Sequence, residues 1–352
     1  METFANGACG MDIRRLAQHL NVSIGTVSRA LNGKPGVHPE TRRRALQAAA
    51  DLGYVANQSG RSLRRGATNT IGFMVETGAA ASLSGDTFFY AVIDAMNAVL
   101  FQRGYDLVVL PCHSTDDPLK FLSRVAARGI VDAMVITATQ RQDSRISLLS
   151  QLKMPFVSLG RSETKGDHSW IDLDFAGAAR CAVETLLAVG HRKIALALPD
   201  SDAAFGHYIR SGYAQALAAA GIPAQSRYTL QAHPNEKGGF ALGKTLLTMP
   251  DRPTAVILSS ESTTIGLFNS LANSNVRAGQ DISVVSLRET PQMRLLSPTL
   301  ASFRLSLADL GECLAGMVLD DLAKDAPDKP RQQIIWPMEY MPGGSVSAPR
   351  QG

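Results

Sequence analysis

The chain is 352 residues long, 45% hydrophobic and 19% charged, which suits two or three folding units with ordinary cores and excludes disorder over most of its length. Its formal charge of +4 is unevenly placed: residues 1–66 carry ten Lys and Arg against four Asp and Glu, net +6, and the rest carries 25 against 27, net −2. No apolar run is long enough to span a membrane, METFANGACG lacks a signal peptide's core, and Cys9, Cys112, Cys181 and Cys313 form no CxxC pair, so we expect a reduced cytoplasmic protein with no metal or cofactor.

From Asp12 to Tyr54 the pattern is helical. Ile13, Leu16, Ala17 and Leu20 share one face of a first helix. A turn at 21–23 leads to a second helix at 24–31, with Val27, Ala30 and Leu31 facing inward, and a loop at 32–36 leads to a third helix that opens on Pro39. Ala17, Asn21 and Val27 stand where a helix-turn-helix needs a small crossing residue, a turn residue tolerant of left-handed backbone, and a buried residue of the second helix. That second helix would enter the DNA major groove. Ile24 suits a thymine methyl, Gly25 permits close approach, Thr26 and Ser28 suit phosphates, and Arg29 suits a guanine edge or a phosphate; Ser23 and Asn32 complete the expected contact set. The basic charge of this head fits a polyanionic partner, and the nearly neutral remainder does not.

Residues 55–69 are polar and basic and read as a linker. Beyond them, apolar strands at 71–75, 107–110, 133–136, 156–159, 194–198 and 256–258 alternate with helices near 88–103, 119–128, 175–189, 208–220 and 239–248. That alternation predicts an α/β class with parallel sheets, divided at this length into two lobes with a ligand cleft between them.

The stretch NVSIGTVSRALNGKPGVHPETRRRALQAAADLGY resembles the DNA-binding head of the LacI/GalR (lactose-repressor) family, and RSLRRGATNTIGF, RGYDLVVL, WIDLDFAGA, VGHRKIAL and IRSGYAQALAAAGI extend the resemblance from residue 12 to about 345. The resemblance implies a helix-turn-helix domain at 11–56, a hinge at 57–68 and an effector-binding and dimerisation body at 69–352 that is like periplasmic binding proteins. Within the body it implies lobe 1 at about 69–173 and 302–334, and lobe 2 at about 174–301 and 335–348. It further implies a homodimer on a palindromic double-stranded operator, with Asn57, Arg61 and Arg64 on DNA and Leu63 wedged into the minor groove. Ala56 and Gly60 depart from the proline and alanine usual there.

For the cleft, the resemblance implies a small-molecule effector, a carbohydrate or a derivative of one, met by Phe88, Phe89, Arg161, Arg210, Ser260, Glu261 and Arg288. Ser260-Glu261 replaces the family's usual Asn-Asp, and Arg288 stands at or beside the acid that usually holds sugar hydroxyls. Three arginines favour a charged sugar derivative, unless Glu261 or Glu289 pairs with one of them internally; in that case a neutral sugar is expected. A rival reading as an NTP-using enzyme rests on residues 238–245, GGFALGKT, which satisfy the P-loop pattern but fall on a helical periodicity. No other catalytic signature is present, and a transcriptional regulator, expected to be a repressor and not an enzyme, is the reading preferred here.

Overall fold

The computed structural model describes residues 12–31, 33–54, 67–77, 88–323 and 330–350. The chain forms two compact units that divide between Thr68 and Asn69. The first contains α1 (Ile13–Leu20), α2 (Ile24–Leu31) and α3 (Pro39–Asp51). Asp12 caps α1 by accepting the Arg15 N–H at 2.8 Å, and the chain leaves that helix through Asn21 in left-handed backbone, φ 53°. The three helices close on Leu16, Ala17, Leu20, Val27, Ala30, Ala45 and Ala48, a core small enough for each member to matter.

The body contains two six-stranded sheets. Lobe 1 has β1 (Thr70–Glu76), β2 (Asp106–Cys112), β3 (Ala133–Ile136), β4 (Phe156–Leu159), β5 (Ser169–Leu173) and β11 (Gln333–Trp336), all parallel in the order β11-β5-β4-β3-β1-β2. Its helices are α4 (Phe88–Gln102), α5 (Pro118–Arg128), α6 (Ser144–Gln151) and α11 (Leu307–Leu322). Lobe 2 has β6 (Ile194–Pro199), β7 (Thr229–Ala232), β8 (Ala255–Leu258), β9 (Ser283–Ser286), β10 (Ala301–Arg304) and β12 (Glu339–Met341), in the order β12-β10-β9-β8-β6-β7. The strands of lobe 2 are parallel except β12, which runs antiparallel to β10. Its helices are α7 (Phe175–Ala188), α8 (Ala204–Ala219), α9 (Glu236–Thr248) and α10 (Glu261–Asn273). Strands such as AMVI and AVIL are buried on every residue, as a sheet covered on both faces requires.

Two lobe boundaries differ from the sequence expectation. Ser302–Arg304 pair with Met341–Glu339 in the sheet of lobe 2, so the chain returns to lobe 1 only after Arg304. Ile335 and Trp336 pair with Asp172 and Leu173, so lobe 1 keeps them. Backbone pairing fixes these crossings, and hydrophobic pattern alone leaves them open.

The P-loop-like glycines lie inside α9, not in a loop that could cradle phosphates. A Cβ on Gly239 would stand 2.1 Å from the Thr263 carbonyl oxygen of α10, and one on Gly243 would stand 2.4 Å from the Ser270 hydroxyl. These glycines let two helices approach closely, which accounts for the motif without a nucleotide.

Candidate functional site

In the head, Ser23 is the N-cap of α2. Its Oγ accepts the Thr26 N–H at 3.1 Å and shares a 2.8 Å hydrogen bond with the Thr26 hydroxyl. Thr26 therefore has a local partner where the sequence suggested a phosphate contact. Ile24, Gly25 and Arg29 are exposed, Ser28 is half-buried, and Val27 is fully buried behind them. A Cβ on Gly25 would meet only the Ser23 hydroxyl at 3.7 Å, an ordinary contact, so the fold of the head does not demand glycine there. Asn32, Asn57, Arg61, Leu63 and Arg64 lie outside the described residues.

In the body, β1 sends the chain to β2 on one side and β3 on the other, and β6 does the same with β7 and β8. The carboxyl ends of such strands open a crevice at the switch point, and a cavity of about 380 Å³ lies there. Lobe 1 contributes Glu76, Phe88, Phe89, Cys112, His113, residues 137–140, Leu159, Gly160 and Asp172. Lobe 2 contributes Phe175, Pro199, residues 201–203, Phe205, Ser259, Ser260, Glu261 and Arg288. Gly160 is required: its φ is +116°, and a Cβ would stand 2.2 Å from the Thr139 hydroxyl.

Five of the seven cleft residues suggested by sequence meet here: Phe88, Phe89, Ser260, Glu261 and Arg288. Phe88 and Phe89 pack edge to face at 5.3 Å. Arg288 is paired: its Nη2 lies 2.5 Å from Glu261 Oε1, and its guanidinium covers the Phe88 ring at 4.5 Å. Glu289, the other partner considered, is held by Arg304 at 2.6 Å, Arg294 at 2.9 Å and the Ser302 hydroxyl at 2.8 Å. Arg161 stands at the cleft edge, its Nε 2.8 Å from Asp172 Oδ2 and its guanidinium 3.6 Å from the centre of the Tyr208 ring. The Arg161 N–H does not point along that 2.8 Å contact, so charge attraction more than a directed hydrogen bond joins the two.

Arg210 does not join the others. It is exposed on α8, whose inward positions are Ile209, Tyr213 and Ala216, and it is not part of the cleft wall. The requirement for an anionic ligand therefore disappears: the two arginines near the cleft already have carboxylate partners, and Arg288 is the only guanidinium among the described lining residues.

Sequence reasoning missed Glu76 and the residues behind it. Arg145, 3% exposed, donates from Nη1 to Glu76 Oε1, and its Nε and Nη2 reach Asp143 at 3.0 and 2.6 Å. Asp143 reads as a helix cap, and it does accept the Arg145 N–H at 3.0 Å; nothing in the pattern signals a buried arginine. Of the acids in WIDLDF, Asp174 caps α7 at the Gly177 N–H, 2.8 Å away, and Asp172 forms part of the cleft wall.

Burial pushes the Asp172 carboxyl up to about 7, against the opposing pull of the Arg161 charge. The native state thus binds more protons than the unfolded state between pH 4 and 7, so this group lowers stability as pH rises through that window, by up to about 1.4 kcal/mol per pH unit. We expect Asp172→Asn to remove that component, visible as the difference between wild-type and variant urea midpoints from pH 4 to 8. Parallel curves would show that Asp172 is ionised throughout.

The fold and the cleft define a class: a ligand-binding body of two parallel α/β lobes, preceded by a basic helix-turn-helix head. Residues 12–57 match the family described as bacterial regulatory proteins, lacI family, and residues 183–346 match the periplasmic binding protein-like domain. The chain is 30% identical to the HTH-type transcriptional regulator AglR of Rhizobium meliloti (strain 1021) over 335 residues, 94% of this chain and 93% of that one. It belongs to the lacI family of transcriptional regulators, which are not enzymes. Its fold is similar to that of the lac repressor dimer bound to operator and the anti-inducer ONPF, with TM-score 0.83, 21% identity, and 96% and 100% of the two chains covered. It is also similar to the transcriptional regulator CelR–cellobiose complex, with TM-score 0.70, 24% identity, and 95% and 99% covered.

Proposed function

We propose that this protein is a cytoplasmic repressor that binds a palindromic operator as a homodimer and is controlled by a neutral carbohydrate in the interlobe cleft. The observation that carries the effector class is the Arg288–Glu261 pair at the aromatic wall. With Arg288, the guanidinium of the described cleft wall, already neutralised by Glu261, a sugar phosphate or sugar acid would have to break a buried ion pair to bind. A neutral sugar needs only hydrogen-bond acceptors and apolar faces, and the cleft supplies both. The cellobiose-bound CelR, a neighbour in fold, is consistent with this ligand class.

DNA contact is assigned to Ile24, Gly25, Ser28 and Arg29, with Ser23 and Thr26 ordering the helix start, and to residues 57–68 as the hinge. One recognition helix offers few base contacts, so two heads are needed on two half-sites. On the body, Tyr90 and Phe101 of α4 and Val108 and Val109 of the edge strand β2 are exposed, apolar or aromatic side chains available to a second copy. The test is a gel shift with DNA from upstream of the protein's own gene. We expect a complex on a symmetric site that weakens steeply with salt as counterions are released. Full affinity for a single half-site would contradict the dimer.

A further inference from the structure

The Glu76–Arg145–Asp143 cluster has no part in the roles assigned above. Glu76 ends β1 at the cleft wall of lobe 1, its side chain 16% exposed, and Arg145 grips it from behind. Arg145 is fixed in turn by both oxygens of Asp143 and by the carbonyls of Thr137 and Ala138, at 3.1 and 3.3 Å, which also lie at the cleft. Two carboxylates thus share one guanidinium, and the member that faces the cleft is acidic. Stability does not explain the arrangement, because well-packed apolar residues of similar volume often hold a fold as well as a buried ionic cluster does. Orientation does: a carboxylate locked by a buried partner at a cleft wall is preorganised to accept hydrogen bonds from a ligand. Across the cleft, Arg288 holds Glu261 in the same manner.

We propose that Glu76 is the specificity residue of lobe 1, accepting hydrogen bonds from ring hydroxyls of the effector, with Arg145 as its positioning residue. This assignment rests on the carbohydrate reading above. A ligand held by a braced carboxylate from each lobe must present hydroxyls on both sides of its ring.

The test is calorimetry on the full chain with glucose, galactose, ribose, cellobiose, maltose and lactose, and with the deoxy analogues of whichever sugar binds. We expect wild type to bind at least one of these and to discriminate against one deoxy position. Glu76→Gln should bind that sugar tenfold or more weakly and lose the discrimination at that position while still unfolding in one cooperative transition. Glu76→Asp keeps the charge with a shorter reach, should give an intermediate affinity, and carries the test if the glutamine variant does not fold. Unchanged affinity and discrimination in a folded Glu76 variant would overturn the assignment and leave the carbohydrate reading intact. No binding of any of the six sugars by wild type would overturn that reading and the assignment with it.

Discussion

Arg145→Met is expected to destabilise the body by about 3–5 kcal/mol, the usual cost of removing one partner from a buried ion cluster. The reason lies in what remains: Asp143, 3% exposed, and Glu76 would face one another without the guanidinium that separates them. Burial already pushes the Glu76 carboxyl up despite Arg145, and without it the group would take a proton at higher pH still. The loss should therefore be larger at pH 8 than at pH 5, and Arg145→Met combined with Glu76→Gln should recover part of it. Urea unfolding at the two pH values measures both effects. A loss under about 1 kcal/mol at pH 8 would show that the cluster is solvated enough to stand without its arginine.

The second large effect is expected in the head. Leu16 is fully buried at the centre of a core in which four of the seven buried members are alanines. Leu16→Ala should cost about 2–5 kcal/mol, a loss that a unit of this size does not sustain. Operator binding should fall at least 100-fold, while sugar binding and the main unfolding transition of the body stay at wild-type values, because the head and the body are separate compact units. Circular dichroism with a gel shift decides this. A variant that still binds operator as wild type would show that the head has stability to spare.

The head was legible because its helices obey a 3.6-residue period around Leu16, Ala17 and Val27, and because only one residue of its first turn, Asn21, adopts left-handed backbone. The fully buried strands were legible as unbroken apolar runs. β5, SWIDL, and β7, TLQA, were not, because polar residues interrupt them. The cleft was legible where it follows strand ends, at Ser260, Glu261 and Arg288. Arg210 was misplaced although its helix carried the signal: the spacing of Ile209, Tyr213 and Ala216 sets an inward face that excludes the next residue. Arg145 had no such signal, because its burial depends on Glu76, which is 69 residues away in sequence.

The most direct measurement follows the fluorescence anisotropy of the labelled symmetric operator bound to the full chain while sugars are added. At least one neutral saccharide should shift operator affinity tenfold or more and the corresponding sugar phosphate should not, since Arg288 in the cleft wall is held by Glu261. Release or tightening by the sugar phosphate, with no response to its neutral parent, would contradict that expectation.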